Sequence, residues 1–76
     1  MRDLQHELHA RAEACRFASQ NAVTHEQREL FDILRVLWTA LADDCQTYGH
    51  WHLMEEIQEV SALHAEALGA AKPTLH

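Results

Sequence analysis

Histidine is over-represented in this chain, with seven among 76 residues, and two cysteines accompany it. Both side chains ligate metals, and both act in nucleophilic catalysis, so their spacing is the first thing to test. His6 and His9 sit three apart, His50 and His52 two apart, and His52 stands close to Glu55 and Glu56. A carboxylate-bridged metal centre in a helical bundle needs Glu-x-x-His pairs that face inward. None of the seven histidines has a glutamate three residues before it. The nearest equivalent is Asp3 with His6, and His6 and His9 both point away from the apolar stripe of their helix. His64 alone lies on an apolar face, where a single histidine reads as a core residue rather than a ligand. No metal site and no cofactor is expected.

Cys15 and Cys45 fare similarly. In the hairpin described below, they lie about 20 Å apart along the helix axes, and a disulfide needs Cα atoms within about 7 Å. They read as small buried apolar side chains. Phosphate-binding glycine loops, a nucleophile elbow and a Ser/His/Asp grouping are all missing from the sequence. An enzyme is therefore not expected. His25 follows the helix cap Thr24 but has no substrate pocket implied around it. Tyr48, His50, Trp51 and His52 form the best aromatic candidate for recognition, although Trp51 also suits the task of closing the end of a bundle.

The elements that would position these groups are helical. Two glycines and one proline leave too few turns for a sheet. Leu4, Leu8, Ala12, Cys15, Ala18 and Ala22 recur every three or four residues and predict a first helix over about residues 3–20. Phe17 falls beside Ala10 and Ala14, off that stripe. Asn21-Ala22-Val23 then makes a turn. Thr24-His25-Glu26-Gln27 has the form of a capping box and opens a second helix over about residues 25–47. Folding the two helices about that turn sets Cys15 near Leu30, Ala12 near Leu34, Leu8 near Leu37 and Leu4 near Leu41. Gly49 suits a left-handed helix end. Leu53, Met54, Ile57, Val60, His64 and Leu68 predict a third helix over about residues 51–68, folded back so that Val60 meets Trp38 and Ile57 meets Leu41 or Ala42. One continuous helix from His25 to Leu68, burying opposite faces in its halves, is the alternative. It is favoured by the missing cap residue after Gly49 and by Asp43 and Asp44 near the end of the second helix. Residues 69–76 read as a frayed tail. The whole is one all-α domain spanning residues 1–68.

The central helix carries the widest apolar face. From Leu30 to Cys45 the apolar positions sweep roughly 240° of the circumference, against about 100° for a surface helix. Two neighbours from so short a chain should not cover that arc. The expectation is a bundle completed by homodimerisation, with Phe31, Ile33, Val36, Leu37, Trp38, Ala40 and Trp51 at a protein interface.

Charge narrows the partners. Carboxylates outnumber Lys and Arg by 12 to 6, for a net charge of −6. The excess lies after the first helix, since residues 1–23 balance. Nucleic acid is disfavoured, because phosphate binding rests on clustered cations. A protein with a basic surface is the natural complement. The longest run without a charge, Val36 to Ala42, is far too short to span a membrane. The opening Met1-Arg2-Asp3-Leu4 lacks the apolar core of a secretory signal, so the expected location is cytoplasmic.

Arg11-Ala12-Glu13-Ala14-Cys15-Arg16, Arg28 and Trp38-Thr39-Ala40-Leu41-Ala42 together resemble a loose group of small bacterial helical-hairpin proteins of uncharacterised function. The likeness covers about residues 8–42 and implies a hairpin, with no activity, cofactor or site residue attached. The expected function is therefore a small acidic protein-binding or regulatory module that performs no catalysis. A histidine-dependent metal-binding or metal-sensing bundle is the alternative.

Overall fold

A computed structural model of the chain describes residues 4–49 and 53–71. It is all-α: α1 spans Leu4–Gln20, α2 His25–Tyr48 and α3 Met54–Ala71. α1 and α2 form the closest-packed pair, and α3 rests mainly on α2. His50, Trp51, His52 and the stretch Lys72-Pro73-Thr74 lie outside the described residues, as does His76.

Local signals set the ends of α2. Thr24 is extended (φ −113°, ψ 157°), and its hydroxyl accepts the Gln27 amide at 3.1 Å. One of the amides that every helix start leaves unpaired is thereby satisfied. At the other end the helix stops at Tyr48, so the continuous alternative is not the structure. Gly49 has φ 83° with ψ 160°, and its amide donates to the Cys45 carbonyl at 3.0 Å. The expected left-handed cap is corrected here in one respect. The φ is positive, but ψ is extended, and that combination is essentially reserved for glycine. α3 also continues through Gly69 to Ala71, beyond the end expected at Leu68.

The core is one cluster drawn from all three helices: Leu8, Ala12 and Cys15 from α1; Phe31, Leu34, Trp38, Leu41 and Ala42 from α2; Leu53, Val60 and Ala67 from the third segment. The stripes read from the sequence therefore do meet. The hairpin register differs from the mirror pairing expected. That pairing sets Ser19 opposite Glu26 and Gln5 opposite Ala40. Instead Ser19 donates its hydroxyl to Asp32 at 2.8 Å, and Gln5 bonds Gln46 at 3.1 Å. The reason lies in side-chain direction. Every Cα–Cβ bond leans towards the N-terminus of its own helix. On α1 that is away from the turn, and on α2 it is towards the turn. Partners on α2 must then sit farther from the turn, which is the sense of the shift.

Candidate functional site

Two features stand out from ordinary packing. The first is a polar contact at the junction of the three helices. Trp38 is fully buried, and an indole N–H can only donate. It donates to Nδ1 of His64 at 3.2 Å, with the two rings 6.0 Å apart and tilted by 58°. Nδ1 must accept, so the neutral imidazole carries its proton on Nε2. Nε2 faces the Cys15 sulfur at 3.6 Å. Arg11 closes the top: its guanidinium lies 5.0 Å from the Trp38 ring centre and donates to Ser61 at 3.2 Å. Its stem and planar head cover the indole.

This geometry decides what Cys15 and His64 can do together. A thiol–imidazole dyad needs an imidazole lone pair aimed at the sulfur. Here the lone pair is aimed at Trp38, and an N–H is aimed at the sulfur. Burial pushes the Cys15 thiol up from its ordinary value. Burial, followed by the nearby Arg11 charge, pushes His64 down. Both shifts favour the neutral forms, which is the opposite of an activated thiolate–imidazolium pair. The same tautomer denies Nε2 to a metal. Among the described residues no three His, Cys, Asp or Glu side chains are grouped as metal ligands. His6, His9 and His25 are exposed, and His25 lies 3.1 Å from Glu29. Cys15 and Cys45 are both free thiols.

The second feature is the outer face of α2. Of the residues expected at an interface, Phe31 and Trp38 are 2% and 0% exposed inside the chain's own core. They are not available to a partner, and this corrects the expectation for both. α1 and α3 between them cover more of the wide apolar arc than a 76-residue chain was expected to manage. Leu37 is half-buried, and Trp51 lies outside the described residues. Ile33 and Val36 remain 56% exposed, and Ala40 is exposed with them. The three fall within roughly 60° of the helix circumference. Glu26, Glu29, Asp43 and Asp44, all exposed, share that side of α2. The result is an aliphatic strip with carboxylates at both ends.

Two further residues escaped the sequence reading. Ser19 is buried, and its hydroxyl ties the end of α1 to Asp32 of α2. Its position beside Ala18 on a stripe of small residues gave no sign of this. Arg11 reads from sequence as one half of an i,i+4 pair with Glu7, and the fold brings its guanidinium to Trp38 and Ser61. No protein-family model matches the chain, and neither a curated protein nor a solved structure matches it. Nothing in these comparisons bears on the likeness to helical-hairpin proteins.

Proposed function

We propose that this chain is a protein-binding module whose docking face is the outer strip of α2. One observation carries the reading: Ile33, Val36 and Ala40 stay exposed along one line of a helix whose opposite face is fully packed. The occupant best matched to it is a helix with an apolar stripe flanked by Lys or Arg, lying in the shallow face as amphipathic helices do. The carboxylates at both ends of the strip supply the complementary charge and the steering. A second copy of the chain fits less well. A two-fold pairing of α2 with itself would bring Glu29 of one copy towards Asp43 and Asp44 of the other. A stable dimer also draws on about twenty residues a side, and Phe31 and Trp38 of the expected interface residues are already committed to the core.

The test uses two synthetic helical peptides with leucine at positions i, i+3, i+4 and i+7, one flanked by lysine and one by glutamate. Titration should show binding of the lysine peptide, weakened by salt, and none of the glutamate peptide. Val36→Asp should reduce the affinity by about tenfold or more, since it buries an unpaired carboxylate. Equal binding of both peptides, or full affinity in Val36→Asp, overturns the reading. Sedimentation showing a tight dimer that Val36→Asp dissolves would assign the strip to a second copy instead.

A further inference from the structure

We propose that the docking of α3 onto the α1–α2 hairpin is controlled by protonation of His64, whose Nδ1 is the acceptor for the buried Trp38 N–H. The argument is stereochemical. Trp38 can only donate, and it has no exposure through which water could replace its partner. A second proton on the imidazole goes to Nδ1, the one free ring nitrogen position. It would set N–H against N–H across the 3.2 Å contact. The protonated ring can keep its place only by leaving the indole donor unsatisfied, or it can leave.

The groups facing His64 from every side reinforce this. From α1 come Arg11 and Cys15, the first a permanent cation and the second a neutral thiol. From α2 comes Trp38. From α3 itself comes Ser61, one turn earlier, which holds Arg11 in place. No carboxylate pairs with His64 among the described residues, so nothing there would stabilise the imidazolium. The depressed affinity of His64 for a proton has the same causes.

α3 is also the element with least to hold it. It packs mainly on α2, and the Cys15–His64 and Arg11–Ser61 hydrogen bonds tie it to α1. Protonation takes away the acceptor for the Trp38 N–H that holds α3 to α2, leaves the Nε2–H on Cys15, and sets the imidazolium beside the guanidinium of the second. The sign follows from linkage. With α3 undocked, His64 titrates near its ordinary value of about 6.5. The undocked form therefore takes up the proton first, and docking weakens as pH falls through that value. The loss is about tenfold per pH unit until the docked form is itself protonated.

The experiment is residue-resolved amide exchange of the full chain between about pH 7.5 and pH 5, expressed as protection factors so that intrinsic exchange is removed. In the wild type, protection over α3 should fall by tenfold or more, while the α1–α2 hairpin keeps its own. His64→Asn places an amide oxygen at the Nδ1 position, which accepts from Trp38 and cannot be protonated. It should flatten the α3 dependence. Should that variant not hold α3 at all, Trp38→Phe serves with His64 intact. With the donor gone, the loss should level off at higher pH, and Arg11→Gln should shift it in the same direction. An undiminished pH slope in His64→Asn overturns the proposal. So does a wild-type loss shared equally by all three helices, or Trp38→Phe and Arg11→Gln profiles that superimpose on the wild type.

Discussion

Cys15 and His64 are reactive residue types, and the contact geometry keeps them from acting together as a thiolate–imidazolium pair. Cys15 is an acceptor for an imidazole N–H, buried among Trp38, Leu8 and Leu34 in the same core. Its reaction with a thiol reagent therefore requires the bundle to open. Labelling at neutral pH should modify Cys45 at least tenfold faster than Cys15, because a buried thiol raised in pKa offers neither access nor thiolate. Mass spectrometry of peptides from a time course checks this. Equal rates would mean that the α1–α3 junction opens readily. Ser19 acts by the same kind of local logic. Its hydroxyl satisfies a carboxylate across the hairpin, and Ser19→Ala should cost about 1.5–3 kcal/mol in chemical denaturation, the range for a hydrogen bond to a charged group. A change below about 0.5 kcal/mol would show that water replaces the bond at Asp32 without loss.

At the scale of elements, the boundaries of α2 rest on two residues with definite backbone roles. Thr24→Ala removes the side-chain acceptor of the Gln27 amide and should lower stability by about 0.5–2 kcal/mol. Thr24→Asn should retain most of it. Gly49 is different, because a Cβ there meets no atom within 4 Å. The cost of Gly49→Ala is then conformational, set by φ 83° and ψ 160°, and is about 1–3 kcal/mol. Denaturant midpoints for the two variants test both numbers. A neutral Gly49→Ala would mean that the chain after Tyr48 relaxes into ordinary backbone. Asp43 and Asp44 remain unfavourably placed towards the carbonyl end of α2.

For the whole molecule, the decisive side chain is Trp38, a large residue that touches all three helices through its ring, its N–H and the Arg11 cover. Trp38→Ala should cost about 3–5 kcal/mol by cavity formation, enough to unfold much of a 76-residue domain of ordinary marginal stability. Leu37→Ala, at a half-buried site, should cost clearly less. Calorimetry or urea unfolding separates them, and equal losses would place Leu37 in a buried interface the single chain does not provide. The acidic excess has its meaning at this scale as well. Most carboxylates lie on exposed surfaces of α2 and α3, where they give those faces a negative potential.

Much of the fold was legible in the residues themselves. Three apolar stripes at helical spacing, one capping threonine and one glycine are local signals, and each acts through atoms within a turn or two of chain. They specify where helices start and stop whatever the helices later touch. The candidate sites were legible only in part. Phe31, Ile33, Val36 and Trp38 are equivalent in a sequence, all apolar and all within one wide arc. Which of them became core and which stayed bare depended on where α1 and α3 settled against α2. The Trp38–His64–Cys15 contact joins residues 26 and 49 positions apart. The tautomer of His64, and with it the chemistry denied to Cys15, follows from a single donor brought to Nδ1 by that packing. Spacing along a helix reports its faces, but only tertiary packing selects which faces meet, because it depends on the summed fit of side chains from all three elements at once.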